Sequence, residues 1–416
     1  MSLAVSPFAP DRFPDLPAVG GVRAAVMSRG FYAHRGLTRD DLFLCVFDPG
    51  TIAAGVFTRS QTASADVRWC RQALASGAGA ARALIVHAGN SNAFTGSAGE
   101  AKNAATLDAL ARTLDIPRNS AFLAATGVIG EPLADPNHIG AVVPQLARAL
   151  GPVDWARCAR AFMTTDTYPK GASAVCDIDG RKVRFAGIAK GSGMIAPNMA
   201  TMLAYVFTDA AIAAPILDRM LRQVTDRTFN AITVDGDTST SDTLMVFATR
   251  ASGMPEVTDP QDPRLAPLAE ALQSVCEALA CQIVKDGEGA TRFITVTVED
   301  AATDADARAV AGAVANSPLV KTALAAGDAN WGRVVMAIGK ALVPVDPDAL
   351  RIWFGDHLVA ENGARARTYD EAEASRICAA AEISIRIALG AGAGRATMWT
   401  CDLTHAYVDI NGAYRT

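Results

Sequence analysis

The sequence predicts an α/β protein made of layered mixed sheets with helices. Strand-like and helix-like segments alternate along all 416 residues. Several strand-like segments follow one another with only a short turn between them, which favours layered sheets over a doubly wound parallel sheet. Half of the residues are hydrophobic and 19% are charged, so the chain is too apolar to be disordered and long enough to bury a large core.

In the first half of the chain, the elements follow from apolar periodicity and from turn residues. They are two short strands about an Asp-Pro-Gly turn (residues 41–57), a buried strand (81–88), a helix (100–114), a strand (120–125) and a helix (139–150). The Pro-rich first twenty residues are predicted to run over the surface before the first strand.

The second half continues the alternation. Its predicted elements are a strand (201–208), a helix (215–226), a strand (243–250), a long helix (268–285), a strand (291–299), a helix (303–315) and two final strands (382–389 and 395–403) joined by a glycine hairpin loop. These two strands are expected to end the chain.

Composition and charge exclude several classes of protein. A net charge of −5 and a pI near 5.6 argue against binding to nucleic acid or to an anionic membrane. The first residues lack a basic segment followed by an apolar core, and no run of eighteen apolar residues occurs. The sequence therefore predicts a cytoplasmic protein without a membrane span.

The cysteines and histidines do not indicate a metal centre. None of the eight cysteines forms a C-x-x-C pair, and the five histidines are scattered without an H-E-x-x-H motif. We expect reduced, mostly buried cysteines, no bound metal and no cofactor.

Three segments resemble known binding motifs but do not match them. The glycines at 390–394 lie between two strands and open no helix, as a dinucleotide fingerprint would require. The order Lys190-Gly191-Ser192-Gly193 is wrong for a phosphate loop. The aspartates of segment 234–242 lack the glutamate of a calcium loop, so this segment is interpreted as a hydrogen-bonded polar loop.

Ala200 and Thr201 form a candidate site of self-cleavage. A small residue precedes a threonine that opens a strand-like run, and the stretch before it is rich in Gly and Pro. Attack of the threonine hydroxyl on the preceding carbonyl would free an α-amine, whose unperturbed pKa of about 7.7–8.0 suits a base near neutral pH. On these residues alone, a structural threonine at a strand start is the better explanation, because most threonines at such positions are structural.

Further segments carry a family resemblance. They are HAGNSNAFTG (87–96), ATGVIGEPL (125–133), MTTDTYPK (163–170), GIAKGSGMIAPNMATML (187–203), VDGDTSTSDT (234–243), KDGEGATRF (285–293), GDANWGR (327–333) and AYVDINGAYRT (406–416). On these segments, which keep their order over nearly the whole chain, the protein closely resembles the ornithine acetyltransferase, or glutamate N-acetyltransferase, family.

The resemblance implies a fold and a maturation step. The fold would be similar to that of N-terminal-nucleophile hydrolases, with the family's own topology. Cleavage before Thr201 would leave an α chain of residues 1–200 and a β chain of 201–416, assembled as two α and two β chains.

The resemblance also implies roles for individual residues. Thr126 and Gly127, in the ATGVIG motif, match the family's oxyanion pair. A hydroxyl and a backbone N–H at a tight turn are the donors that such a site requires. The residues that match substrate-binding positions are Thr167, Lys190, Thr201, Glu288, Asn411 and Thr416. Lys190 would meet a substrate carboxylate and Glu288 a substrate ammonium, whereas Asn411 and Thr416 could instead simply end a strand.

The implied activity is transfer of acetyl from N2-acetylornithine to L-glutamate through an acetyl-threonine, with acetyl-CoA as a second donor in a bifunctional enzyme. Three alternatives remain at this point: an aminopeptidase or amidase that uses the same self-cleavage, a secondary-metabolism paralogue with another acceptor, and a non-enzymatic binding protein. Ser241, where many relatives have Asn, is the departure from the family motifs that changes a polar loop.

Overall fold

The computed structural model describes residues 4–196 and 202–413 of the chain. The strands of these residues, in chain order, are Val22–Met27 (β1), Leu42–Phe47 (β2), Ile52–Phe57 (β3), Ala83–Asn90 (β4), Ala121–Val128 (β5), Lys170–Ile178 (β6), Arg181–Lys190 (β7), Leu203–Thr208 (β8), Thr243–Ala248 (β9), Phe293–Ala301 (β10), Arg351–Phe354 (β11), His357–Glu361 (β12), Ala364–Arg365 (β13), Glu382–Ala388 (β14) and Gly394–Cys401 (β15). The α-helices are Ala65–Ser76 (α1), Gly96–Leu114 (α2), Val143–Arg148 (α3), Trp155–Ala161 (α4), Ala214–Arg227 (α5), Leu265–Lys285 (α6), Asp304–Ala315 (α7), Pro318–Ala325 (α8), Trp331–Gly339 (α9), Glu371–Cys378 (α10) and His405–Ala413 (α11).

Three mixed sheets organise these strands. The first has the order β1-β2-β4-β5 and the second the order β3-β9-β8-β7-β6. The third has the order β13-β12-β11-β14-β10-β15. Each sheet combines antiparallel pairs with one parallel pair, namely β4 with β5, β8 with β9, and β10 with β14. The predicted layered mixed sheets are confirmed.

The first two sheets pack face to face between two layers of helices. Phe47 of the first sheet stacks on Phe247 of the second, with ring centroids 4.5 Å apart. Helices α2 and α3 cover the outer face of the first sheet, and α5 and α6 cover that of the second. Central strands such as β2 are therefore buried on both faces, which explains their unbroken apolar sequences. The third sheet forms its own core with α7 to α10.

Polar side chains fix where several helices begin. In each case a Ser, Thr, Asn or Asp side chain accepts a hydrogen bond from an N–H of the first helical turn, which would otherwise lack a partner. These capping residues are Ser64, Asp154, Thr303, Ser317, Asn330 and Asp370.

Two hairpins were predicted, and the strands of both are present. In neither case do the two strands pair with each other. β2 joins the first sheet, while β3 pairs with β9 in the second, so the Asp-Pro-Gly turn carries the chain from one sheet to the other. β14 and β15 flank β10 on opposite sides, so the glycine loop at 390–394 crosses the end of that strand. The hairpin expectation for this loop was wrong because the centre of the third sheet is filled by a distant strand.

The expectation that two strands end the chain was also wrong. Helix α11 follows β15, and it is held by tertiary contacts. The Thr404 hydroxyl, just before the helix, donates to the carbonyl of Gly289 at 2.7 Å. The Tyr407 hydroxyl donates to Asp235 Oδ2 at 3.3 Å. Asn411 is therefore on a helix and does not end a strand.

The predicted self-cleavage site, Ala200 and Thr201, lies outside the described residues, as does Thr416. The strands on either side of the site are neighbours in one sheet: β7 pairs with β8, with Lys190 opposite Leu203. Residues 1–200 and 201–416 therefore share the second sheet and its core.

Two further expectations concern the state of the cysteines and the presence of a membrane span. All eight cysteines are free thiols, and six of them are buried, as predicted. Among the helices of residues 4–196 and 202–413, we find none with the length and apolar character needed to cross a membrane.

Candidate active site

A small polar cavity of about 100 Å³ brings together residues that are far apart in the sequence. It opens where the ends of β5 and β7 meet the loop before β9, the loop after α6 and the C-terminal helix. Its lining consists of Ser91, Thr126, Gly127, Ile129, Thr164, Thr165, Lys190, Gly193, Met194, Ser239, Thr240, Ser241, Glu288 and Asn411. Five of the sequence-predicted site residues are thus collected in one place.

Thr126 and Gly127 lie on the cavity wall within β5, which continues to Val128, so the tight turn expected at these two residues was wrong. They pair in parallel register with Ala88 and Gly89 of β4. Gly127 has φ +130°, and a Cβ on it would lie 2.4 Å from the carbonyl carbon of Gly89. Only glycine fits this conformation and this close backbone approach. Both the N–H of Gly127 and the hydroxyl of Thr126 are thereby held at the cavity wall.

Gly127→Ala is expected to lower the acetyl transfer that the family resemblance implies by about 100-fold or more, the scale for losing one oxyanion donor, because this part of β5 must move away from Gly89. The strained φ should also lower the free energy of unfolding by about 1–3 kcal/mol. Steady-state kinetics and thermal melting measure both effects. Gly151→Ala is the control, because Gly151 has nothing within 4 Å of an added Cβ. An active Gly127→Ala enzyme would rule out the Gly127 N–H as an oxyanion donor.

Lys190, at the end of β7, is a buried cation at the centre of the cavity. Its Nζ donates to Thr164 Oγ1 at 2.9 Å and lies 3.4 Å from Thr126 Oγ1. Burial lowers the pKa of Lys190, while the nearby carboxylate of Asp166 acts in the opposite direction. Because the ammonium donates towards Thr126 Oγ1, the hydroxyl hydrogen of Thr126 stays available for a substrate oxygen.

Glu288 and Asn411 form the opposite wall. Glu288 Oε2 accepts a hydrogen bond from Asn411 Nδ2 at 2.7 Å, which ties the loop after α6 to α11. The carboxyl group lies against Gly193, where a Cβ would be 2.5 Å from it. The cavity therefore presents a cation, Lys190, and an anion, Glu288, on different walls.

Thr167 does not line this cavity. Its hydroxyl donates to Asp286 Oδ1, its N–H donates to Asp286 Oδ2 at 2.9 Å, and its oxygen accepts from the N–H of Ser6 at 3.0 Å. Thr164 and Thr165 of the same motif line the cavity instead. Sequence reasoning missed both, although the three threonines of Met-Thr-Thr-Asp-Thr indicated that one of them would face the site.

A fully buried ion cluster lies beneath the cavity, and sequence reasoning missed it too. Lys170 Nζ donates to Asp166 Oδ1 at 2.7 Å and to Asp286 Oδ2 at 2.6 Å. Asp166 also accepts from the N–H groups of Thr164 (3.0 Å) and Gly191 (2.7 Å). The Asp166 carboxylate therefore fixes the two segments that carry Thr164 and Lys190.

The charges of this cluster shift the pKa of each carboxyl. Burial raises the pKa of Asp166, but the ammonium groups of Lys170 and Lys190 outweigh it and hold that pKa well below its usual range. Burial dominates at Asp286 and raises its pKa, although Lys170 opposes the shift. Of the two aspartates in the cluster, Asp166 is thus the one that stays ionised.

The predicted polar loop at 234–242 forms the third wall. Asp235 accepts from the N–H groups of Met194 (2.6 Å) and Ile195 (3.0 Å), which confirms a hydrogen-bonded loop. Ser241 lines the cavity directly, so the replacement of Asn by Ser noted in the sequence changes the cavity wall itself.

Neither the volume of a cavity nor a cluster of metal ligands identifies the site. A groove of about 810 Å³ between β3, α1 and α5 is larger, but its lining includes none of the predicted site residues that the structure describes. Within residues 4–196 and 202–413, no three His, Cys, Asp or Glu side chains are grouped to hold a metal ion.

The layered fold and this cavity, in which a buried lysine and a carboxylate lie beside the Thr126 hydroxyl and Gly127, indicate an enzyme that acts on a small charged molecule. The ArgJ family model matches residues 24–416. The chain therefore belongs to the ArgJ family.

Two curated relatives cover all or nearly all of its length. It is 50% identical to the arginine biosynthesis bifunctional protein ArgJ of Bradyrhizobium diazoefficiens over 419 residues, which is 100% of both chains. It is 50% identical to the protein of that name from Ruegeria pomeroyi over 412 residues, or 99% of this chain and 98% of that one. It is similar to the crystal structure of ornithine acetyltransferase complexed with ornithine from Mycobacterium tuberculosis, with 33% identity and TM-score 0.37 over 45% of this chain and 94% of that chain.

Proposed function

We propose that this chain transfers the acetyl group of N2-acetylornithine to L-glutamate, giving ornithine and N-acetylglutamate in arginine biosynthesis. The observation that carries the proposal is the cavity in which Thr126, Gly127, Lys190 and Glu288 meet. Full-length identity of 50% to bifunctional ArgJ proteins supports the activity and supports acetyl-CoA as a second acetyl donor.

The proposed nucleophile is Thr201, freed by cleavage of the Ala200–Thr201 bond into chains 1–200 and 201–416. Its Oγ attacks the acetyl carbonyl while its α-amine takes the hydroxyl proton. The tetrahedral oxyanion accepts hydrogen bonds from the Thr126 hydroxyl and the Gly127 N–H. Collapse expels ornithine, whose nitrogen receives the proton, and leaves acetyl-Thr201. The amine of glutamate then attacks this ester in the reverse sequence.

Charge selects the substrates in this proposal. Lys190 binds the α-carboxylate that acetylornithine and glutamate share, because a buried carboxylate needs a cation. Glu288 binds the δ-ammonium of ornithine. Thr164, Asn411 and Thr416 contact the bound amino acid. Thr167 supports the pocket indirectly, since it holds Asp286 and thereby Lys170.

A donor and acceptor assay tests this function. The purified protein should release ornithine from N2-acetylornithine only slowly in water and rapidly when glutamate is present, with the parallel-line kinetics of a ping-pong reaction. Acetyl-CoA should replace acetylornithine as donor. Hydrolysis that does not depend on glutamate would instead identify an amidase, the alternative that the bifunctional ArgJ relatives do not favour.

Glu288→Gln is expected to impair the two half-reactions unequally. Loss of a charged hydrogen bond should weaken acetylation of Thr201 by acetylornithine by about 1.5–3 kcal/mol. Discharge to glutamate should lose less, because glutamate carries no side-chain ammonium. Single-turnover acetylation and discharge measure the two steps. Lys190→Met is the comparison variant and should impair both steps, because both substrates carry the α-carboxylate. If Glu288→Gln slowed acetylation and discharge equally, Glu288 would have a structural role and would not bind the substrate ammonium.

We further infer a cytoplasmic enzyme that needs no cofactor and assembles as two α and two β chains. Pairing of β7 with β8 across the cleavage site supports continued association of the two chains after the cut. Size-exclusion chromatography with light scattering tests the assembly, and dialysis against a chelator with no loss of activity tests the absence of a metal.

A further inference from the structure

Helix α9, in the third sheet's layer of helices, is apolar on both of its faces. Its inner face packs in the core of that sheet through Val334, Ala337 and Ile338. The residues of its outer face, which lie at helical spacing and carry no charge, are Gly332, Val335, Met336 and Gly339. A helix that is apolar all round is normally covered all round. The outer face therefore indicates a partner.

The one charged residue of α9 does not make this outer face polar. Arg333 turns towards its own chain, where its Nη1 donates to the carbonyl of Leu319 at 2.7 Å and lies 3.4 Å from Thr322 Oγ1. Arg333 belongs to the segment GDANWGR (327–333), which carries part of the family resemblance but contributes no residue to the lining of the cavity. This segment is thus left without a role in the proposed reaction.

The apolar surface continues beyond α9. Of the ten large hydrophobic side chains that are exposed in the described part of the chain, four lie between residues 319 and 342. Val335 and Met336 are 38% and 42% exposed, Leu319 of α8 is 52% exposed, and Leu342, three residues after α9, is 94% exposed. Apolar side chains grouped in this way mark a protein contact, whereas single ones need no explanation.

The outer face of α9 is complementary to itself. Gly332 and Gly339 lie at equal distances from the midpoint between Val335 and Met336. If two copies of α9 lay antiparallel across a twofold axis at this midpoint, Gly332 of each copy would face Gly339 of the other. A Cβ on Gly339 would meet nothing within 4 Å, and one on Gly332 would meet only Asn330 Oδ1, at 3.6 Å. The two helices can therefore approach closely.

The charges at the two ends of α9 favour the same arrangement. Asp328 precedes the helix and Lys340 follows it, and both side chains are exposed. An antiparallel pair brings the Asp328 end of one copy to the Lys340 end of the other, so opposite charges meet at both ends of the contact. A parallel pair would instead bring like charges together.

We propose that the outer face of α9 binds the same face of a second copy of this chain, with the two helices antiparallel across a twofold axis. Leu319 and Leu342 extend the contact on each side, since a stable dimer buries about 800 Å² on each copy. The inference rests on the assembly of two α and two β chains in the proposed function and names its contact surface. It does not depend on the acetyl-transfer reaction.

Val335→Glu tests the proposal, because it places a carboxylate at the centre of the contact, where water is excluded. The position is partly exposed in a single copy, and glutamate is a good helix former, so the chain should still fold. Sedimentation over a dilution series measures the association. The wild type should have twice the 43.3 kDa mass of one chain, whether or not the chain is cut. Val335→Glu should raise the dissociation constant by about 100-fold or more.

Val175→Glu is the matched control. Val175 is 54% exposed, but it lies on β6 at the edge of the second sheet. This variant should sediment like the wild type. A wild type that sediments as a single copy, or a Val335→Glu variant that associates as tightly as Val175→Glu, would overturn the proposal.

Charge reversal covers the case in which Val335→Glu does not fold. Asp328→Lys and Lys340→Glu should each raise the dissociation constant by about fivefold, and the double variant should restore it, since its opposite charges meet again. No recovery in the double variant would overturn the antiparallel contact.

The transfer assay separates this inference from the proposed reaction. A single-copy protein that transfers acetyl groups contradicts the contact alone, and a two-copy protein that transfers none contradicts the reaction alone.

Discussion

Thr201→Ala is expected to leave the 416-residue chain uncut and to reduce acetyl transfer by at least about 10⁴-fold. The change removes the hydroxyl that attacks the preceding carbonyl and, in the mature enzyme, the atom that would carry the acetyl group. Without the cut, the α-amine proposed as the base does not exist either. Denaturing electrophoresis, N-terminal sequencing and the transfer assay measure these outcomes.

The wild type should run as two bands of nearly equal size, with the second chain beginning at Thr201. Thr397→Ala is a suitable control, because Thr397 is a threonine of β15 in the third sheet, outside the cavity. It should be cut and active. A Thr201→Ala chain that is still cut, or that still transfers acetyl groups at an appreciable rate, contradicts the autocatalytic mechanism.

Lys170→Met is expected to lower the free energy of unfolding by about 3–5 kcal/mol. Lys170, Asp166 and Asp286 are all completely buried, so loss of the ammonium leaves the two carboxyl groups without the cation that pairs with both. The backbone N–H groups of Thr164 and Gly191 depend on Asp166, so acetyl transfer should fall as well. Urea unfolding and steady-state kinetics measure the two effects.

Lys285→Met provides the matched comparison. Lys285 pairs with Glu382 at 2.6 Å, but this pair is partly exposed to solvent. Exposed ion pairs stabilise a protein by about 1 kcal/mol or less, so this variant should remain near wild-type stability. If Lys170→Met costs no more than Lys285→Met, the buried cluster has no special role in holding the cavity together.

Local patterns predicted most of the sandwich. The apolar runs of β2 and β4 and the helical spacing of α2 and α6 identify these elements, because burial in a four-layer fold imposes such patterns on the sequence. The hairpin of β6 and β7 was missed because its turn, Asp179-Gly180, was not recognised. Helix α11 was missed because contacts with Gly289 and Glu288, rather than periodicity, hold it.

The sequence by itself determined the fold class, the family resemblance and, through short motifs, the Thr126-Gly127 pair and the charges of Lys190 and Glu288. Those features depend on residues that are close in the chain. Only the tertiary structure decided that Thr164 rather than Thr167 faces the cavity and that Lys170 joins two aspartates. The reason is physical: Lys170 and Asp286 are 116 residues apart, and a hydrogen bond at that separation leaves no local periodicity in the sequence.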